Sequence, residues 1–574
     1  MQIIKSLLTL LVFICPFILK AQITYLPEGS KEYDFMDRLE IKLGQNTNII
    51  YSTIKPYSRK SLVQEAELID SLHLGNQASL TGSAIAKWES LNLSKIDEYN
   101  IHSILMDNSE WVTGSKESFL SKNPVLKSFY VTKPNLLEVN TKDFFLAVNP
   151  VISYSMSKES NNDENIFYNK RGITARGMIA NRIGFSTTMS DNQERAPLFV
   201  QDRINTFNAV PGVGFYKSFK KTAVDYFDAR GYITFNATKY IDVQFGYDKN
   251  FIGNGYRSLF LSDYANSYLF LKLNTKIWKF NYENLFMQLI PQFGANAIGD
   301  TLLDRKYQVM HHLSMNVTRW LNLGLFEAIT FGRRQYFDFE YLNPIIFLRY
   351  VEGDVGSPDK ANVGFDFKAN FAHHFQAYGQ FLLDEFVGKE IFKSNGYWAN
   401  KYGYQLGLKY VDALNIKNLD LQVESNRVRP FTYEHYDTYG NYTHYNQPLA
   451  DPLGANFQEF IGILKYQPAP KWYINARAIY YDQGLDSAGQ NFGSSPFELY
   501  TTRTRDFGYT VGGGDKAKCL NGSFVLSYEL RENLFIEGSL LYRKYSVASG
   551  PGSSTTSVFG LGVRWNAAPR TYDY

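Results

Sequence analysis

Apolar and polar residues alternate one by one along most of this chain, and that period of two constrains its fold more than any other feature. Ile241, Val243, Phe245 and Tyr247 are interleaved with Asp242, Gln244, Gly246 and Asp248. Trp278, Phe280 and Tyr282 alternate with Lys279, Asn281 and Glu283, and Phe559, Leu561, Val563 and Trp565 with Gly560, Gly562, Arg564 and Asn566. A strand sends successive side chains to opposite faces, so each segment has one apolar and one polar face. The pattern begins near Asp143 and continues to the end of the chain. The residues alone leave open which face turns inward, as a soluble sandwich also alternates. Aromatic residues are 16% of the chain, and abundant Tyr and Trp favour interfacial girdles, hence a transmembrane β-barrel with a polar lumen.

The first residues fit an export signal. Lys5 precedes an apolar run from Leu7 to Leu19, and Ala21 offers a cleavage site that leaves Gln22 first, so 1–21 reads as a signal peptide. Cys15 follows Ile14, not the small residue a lipobox needs. Cleavage leaves Cys519 alone, which excludes an intramolecular disulfide and cysteine-based structural zinc. It also leaves 57 cationic against 56 anionic residues, the loss being Lys5 and Lys20. Such a balance excludes the basic stripe of a nucleic-acid binder. No later stretch is apolar enough for a membrane helix, so a spanning chain would cross as a closed barrel.

Residues 22–140 differ from the rest and read as a small helical periplasmic or plug region ahead of a barrel over 141–574. Ser30 is placed to cap a helix carrying Tyr33, Met36, Leu39 and Leu43, with Gly44 as its stop. Ser61 and Gln64 have capping-box spacing ahead of Ala66, Ile69 and Leu72, and Ser94 and Asp97 mark a third start. Strands are expected from Phe144, with a hairpin over Phe167–Asp191 turning near Asn181. At about ten residues per strand the length permits about 16 to 18 strands. The polar stretches Asp191–Thr206, Gly353–Ala361, Arg427–Asn456 and Gln483–Lys518 are expected to be extracellular loops.

Several blocks recur in a recognisable order. They include EYDFMDRLEIK from Glu32, YNKRGITARG from Tyr168, and FGYDKNFIGNGYRSLFLSDYANSYLFLKL from Phe245. WLNLGLFEAITFG from Trp320, YLNPIIFLR from Tyr341, YGQFLLDEF from Tyr378, NRVRPFTYEH from Asn426 and NYTHYNQPLADPLGANFQEF from Asn441 follow. Together they resemble the Wzi-type capsule-assembly barrels and, more closely, the RemB-type gliding-motility barrels, over nearly the whole mature chain. That resemblance implies an outer-membrane barrel of about 18 antiparallel strands with a periplasmic helical extension. It also implies a non-enzymatic surface role, in capsule attachment or gliding. The expected partners are outer-membrane lipid or lipopolysaccharide, capsular or extracellular polysaccharide, and gliding or secretion machinery.

One stretch has the composition of a sugar site: Arg427, Arg429, Tyr433, His435, Tyr436, Tyr439, Tyr442 and His444. Aromatic rings stack on sugar C–H faces while their polar ends bond hydroxyls, and Arg pairs with acidic sugars. The competing reading is that these rings only order the loop. The pairs His311–His312 and His373–His374 offer one ligand each per strand face, so no metal is expected. Asp384 and Glu385 have the same adjacency problem as a catalytic pair. Asp248, Asn250 and Gly253 echo a calcium loop, but Ile252 stands where an oxygen ligand is needed. VGGGDKAK from Val511 reads as a flexible outer loop. With no HExxH and no GxSxG, neither enzymatic chemistry nor a cofactor is expected. The alternative function is a porin or saccharide transporter.

Overall fold

The computed structural model describes residues 23–73, 91, 93–122, 124–126, 128–294, 301–332, 335–356, 359–390 and 393–574. The signal sequence expected over 1–21 lies outside them. Among the described residues, eighteen antiparallel strands close a barrel. In chain order they are β1 Phe144–Glu159, β2 Ile166–Ile179, β3 Ile183–Arg195, β4 Ala223–Thr238, β5 Ile241–Asp248 and β6 Tyr268–Ile277. Next come β7 Phe280–Leu289, β8 Lys306–Asn316, β9 Leu321–Phe331, β10 Lys360–Phe371, β11 Phe375–Glu385 and β12 Lys401–Tyr410. The last six are β13 Leu419–Val428, β14 Phe457–Ala469, β15 Trp472–Leu485, β16 Asp515–Arg531, β17 Leu534–Val547 and β18 Ser553–Trp565. Each strand pairs with the next in chain order, and β18 closes on β1 through Leu561↔Met156 and its neighbours. No described helix is long and apolar enough to cross a membrane.

The faces are now assigned. Phe245 and Tyr247 are 47% and 40% exposed on the outside, whereas Gln244, next to Phe245 on the strand, is buried inside at 1%. The apolar face therefore points away from the centre, the reverse of a sandwich and the arrangement a lipid-facing wall needs. One end of the barrel has short turns, such as 180–182, 239–240 and 278–279. The other has long connections, such as 249–267, 429–456 and 486–514. Trp278, Trp320, Trp472 and Tyr240 are exposed at the short-turn end, where a girdle of amphipathic rings belongs.

Among the described residues three α-helices, α1 Glu32–Leu43, α2 Arg59–His73 and α3 Lys95–Asp107, precede the barrel. They share a core of Phe35, Leu39, Leu62, Ala66, Ile69, Ile101 and Ile104. Their termini correct two expectations. Ser30 does not cap α1: its hydroxyl donates to the Pro27 carbonyl at 2.7 Å, and Lys31 stands at the N-cap. The cap of α2 is supplied by Ser58, whose Oγ accepts from the Ser61 N–H at 3.3 Å, so Ser61 lies inside the helix. A seryl side chain caps only from the residue that precedes the first turn, and sequence spacing placed the two starts one and three residues off. Ser94 and Asp97 do form the reciprocal capping box of α3, and Gly44 ends α1 with φ 68°.

Three connections also differ from expectation. Asp191–Thr206 is not an open loop: β3 runs to Arg195, and α4, Leu198–Phe207, follows. In VGGGDKAK the strand β16 starts at Asp515, and Asn456 fixes the glycines by accepting from Gly512 N and donating to Gly513 O, both at 2.8 Å. Arg427–Asn456, expected as an extracellular loop, turns into the barrel instead.

Candidate functional site

The lumen is occupied from both ends. At the short-turn end, α1 inserts a charged face against the inner wall. Arg38 is the anchor: its Nε lies 2.7 Å from Asp97 on α3, and its guanidinium also reaches Asp412 and Asp420. Lys42 bridges Asp97 at 2.7 Å and Asp412 at 3.1 Å. Burial pushes the Asp97 carboxyl up, but Arg38 and Lys42 outweigh it and hold it at about 2. Asp34 to Lys465 and Asp37 to Lys409, both 2.6 Å, and Lys31 to Glu529 extend the contact around the wall.

From the other end, connection 249–267 folds inward. Phe251 and Ile252 pair with Lys55 and Ile54 of the helical region. Gln380 on β11 accepts from Leu259 N at 2.8 Å and donates to Ile252 O at 3.0 Å. Glu424 on β13 accepts from the backbone of Tyr256 and Arg257. These wall side chains satisfy backbone groups that would otherwise be orphaned inside the protein. The calcium-loop echo around Asp248 is part of this packed segment, with Asn250 and Gly253 buried.

Connection 429–456 lies over it, and this divides the eight residues proposed from sequence. Tyr433 and Tyr442 are each 1% exposed; their hydroxyls donate to the Leu259 and Phe260 carbonyls at 2.9 and 2.6 Å, and their rings stack 5.4 Å apart. His444 is 2% exposed, with Nδ1 accepting from Ile290 N at 3.0 Å and Nε2 facing Ser267 O at 3.1 Å. Burial lowers its pKa to about 4, so the ring is neutral. These three residues order the inward loop, and no sugar face reaches them. Arg429 is tied to the carbonyls of Asn400 and Tyr397. Arg427 shares the outward parity of Val423 on β13 and stands near the long-loop end of the outer wall.

His435, Tyr436 and Tyr439 remain at the long-loop rim. The His435 ring lies 4.3 Å from Tyr436 and 6.1 Å from Tyr500. Tyr500 leans on Trp398 at 4.8 Å, and the Arg503 guanidinium covers Trp398 at 3.8 Å. Tyr397 packs on the half-exposed Phe507 at 5.2 Å. Tyr439 stands on the other flank, its hydroxyl donating to Asp304 at 2.9 Å. The sequence reading missed Tyr397, Trp398, Tyr500, Arg503 and Phe507. Their signal was present as aromatic and Arg clusters in two further loops, 395–400 and 497–509, but nothing in sequence joined them to 435–439.

Two adjoining cavities of about 410 and about 530 Å³ remain inside, between residues 25–37 and the wall. Segment 566–574 runs through them from the short-turn end towards the other: Arg570 meets Glu194 at 3.1 Å, and Asp573 meets Arg257 at 3.5 Å. Of the two histidine pairs, His311 and His312 split as a strand requires, His311 outward to Glu327 and His312 inward to Asp366, at 2.9 and 2.7 Å, whereas His373 and His374 lie in the turn between β10 and β11 and not on a strand. Asp384 binds Lys360 and Glu385 binds Lys401, so the two carboxylates serve separate ion pairs. No cluster of His, Cys, Asp and Glu suited to a metal ion occurs among the described residues.

No protein-family model matches the chain, and no curated protein matches it. Among solved structures it is similar to Wzi of Escherichia coli, an outer-membrane protein involved in group 1 capsule assembly and a carbohydrate-binding β-barrel. The TM-score is 0.55 at 12% identity, covering 94% of this chain and 99% of that one. The chain has a Wzi-like outer-membrane β-barrel fold. It is less similar to OprD of Pseudomonas aeruginosa, with TM-score 0.40, 11% identity and coverage of 73% and 94%. OccAB2 of Acinetobacter baumannii gives 0.41, 10%, 73% and 98%.

Proposed function

We propose that the protein is a non-enzymatic outer-membrane barrel that engages surface polysaccharide at its long-loop rim, in capsule attachment or assembly or in gliding. The observation that carries this reading is the filled lumen. Helices from one end and two inward connections from the other leave the rim as the face for a large ligand. There, Tyr436, Tyr439, Tyr500, Phe507 and Arg503 supply ring faces and a cation, the groups that recognise sugar rings and acidic sugars. The carbohydrate binding of Wzi supports the same reading. In this orientation the short turns and helices are periplasmic, the rim is extracellular, and Arg427 meets lipopolysaccharide. The choice between capsule and gliding rests on deletion phenotypes: loss of capsule retention assigns the first, loss of surface translocation the second.

A second reading, passage of a small solute, is favoured by the two internal cavities. Planar-bilayer recording of the purified full chain separates the two. The surface-binding reading expects no large steady conductance, and a wide stable pore would overturn it in favour of a porin.

A further inference from the structure

Residues 335–356, between β9 and β10, do not stand at the rim. They fold back over the outside of the barrel. Tyr341 and Leu348 from this segment are buried against Phe286, Tyr307, Val309, Ile329 and Phe331, all on the outer wall. It descends far: the Tyr282 hydroxyl, on the third residue of β7 from the short-turn end, donates to Pro344 O at 2.7 Å. A short helix, α5 Leu348–Asp354, then climbs back towards β10.

Beneath this flap the wall carries an anomaly. One cross-strand row runs Leu273, Asn284, His311, Glu327 and Val363. All five side chains face outward, yet the middle three are polar. Glu327 is the seventh of the eleven residues of β9, and His311 the sixth of the eleven of β8, so both sit mid-strand where a lipid-facing wall should be apolar. A carboxylate in that position is costly when it faces hydrocarbon. Here it does not. Glu327 accepts from Phe347 N at 2.7 Å and Leu348 N at 2.9 Å, and holds His311 Nδ1 at 2.9 Å. The polar row is the receiving slot for the flap, and it makes sense only with the flap seated.

The opposite face of the flap is uncovered and carries large apolar side chains, with Glu340 and Arg349 as charged exceptions and Arg349 paired with Glu352. Phe339 is 77% exposed, Phe347 71%, and Ile345 and Tyr350 are similarly open. Side by side with it, Leu325 and Val363 on the bare wall are exposed as part of the lipid-facing band. An apolar face of this size in water is an association liability, but at mid-wall depth its neighbours are acyl chains. We propose that residues 335–356 form an intramembrane flap, latched to the outer wall through Glu327, whose aromatic face is bedded in the acyl-chain layer of the bilayer. The proposal is independent of the polysaccharide reading and rests on the barrel spanning a membrane.

The test places nitroxide labels on the full-length mature chain in phosphatidylethanolamine/phosphatidylglycerol vesicles. Labels go on Ile345→Cys and Phe347→Cys in a Cys519→Ser background, with Leu325→Cys as the wall reference and Thr501→Cys as the loop reference. Oxygen, which partitions into acyl chains, and a water-soluble nickel chelate report the surroundings. Flap labels should match Leu325→Cys, severalfold more accessible to oxygen than to nickel. Labels that match Thr501→Cys would overturn the proposal by placing the flap in water. Labels shielded from both reagents would also overturn it, by showing a protein occupant such as a second copy. Glu327→Leu should raise nickel access at the flap while the barrel keeps its heat-dependent gel shift. Unchanged access would overturn the latch. Should the leucine variant not assemble, Glu327→Gln, which keeps one acceptor oxygen, should give an intermediate rise, and no rise there overturns the latch equally.

Discussion

Replacing Arg38 by alanine tests how the helical region is held in the barrel. The guanidinium is buried, with its side chain 6% exposed, and serves Asp97 on α3 together with Asp412 and Asp420 on the wall. Its loss leaves three carboxylates sharing Lys42 and more distant cations. Breaking a buried ion pair by removing one partner costs about 3–5 kcal/mol. At about 1.4 kcal/mol per decade this is roughly a 100- to 4,000-fold shift from docked to undocked helices. The helices share their own core and the Ser94–Asp97 capping box, so the expected product is a closed barrel with a loosened bundle. Limited proteolysis in liposomes should then cleave the region before Phe144 much faster, while β1–β18 stay protected and heat-modifiable. Lys393→Ala is the control, because Lys393 is exposed in the connection between β11 and β12 and its pair with Glu390 is worth well under about 1 kcal/mol. Equal cleavage rates for Arg38→Ala and Lys393→Ala would show that Arg38 does not hold the helices.

Two further outcomes follow from the inward loop. The pKa of His444 is depressed to about 4 against an ordinary 6.5, so the loop has its full contribution above about pH 6.5 and loses it as pH falls towards 4. The amplitude is about 3 kcal/mol; protease nicking within 429–456 should rise over that window, and His444→Asn should reduce the pH dependence to the part carried by His435 and Asp451 in the same connection. Tyr433→Phe and Tyr442→Phe each delete a buried hydroxyl that serves a carbonyl of the neighbouring segment. Each should cost about 1–2 kcal/mol, read as faster amide exchange at residues 251–261 with the strands unaffected.

The strands were legible because each one carries its own two-residue alternation, and the hairpin of β2 and β3 turns at Asn181 as its residues indicate. The direction of the faces was not legible, since Phe245 and Gln244 read the same in a sandwich and in a barrel. Inward loops defeat composition for a related reason. Tyr433 and Tyr442, which hold carbonyls inside, are the same residue type as Tyr436 and Tyr439, which stand at the rim, a few positions away. Only the path of the backbone separates them. The rim escaped because Trp398, His435 and Tyr500 come from three loops far apart in sequence. The flap escaped because the Tyr341–Arg349 block has no strand period and no cap, and its partner Glu327 reads as an ordinary inward polar residue until the register of β9 is known.

In the proposed function the rim, and not the lumen or the buried tyrosines, contacts polysaccharide. Pull-down of native surface polysaccharide by wild type, by Tyr436→Ala/Tyr439→Ala and by Tyr500→Ala/Arg503→Ala tests it most directly. Wild type should retain the polymer, and both rim variants should lose most of it with the barrel intact. Equal retention by all three proteins would contradict it.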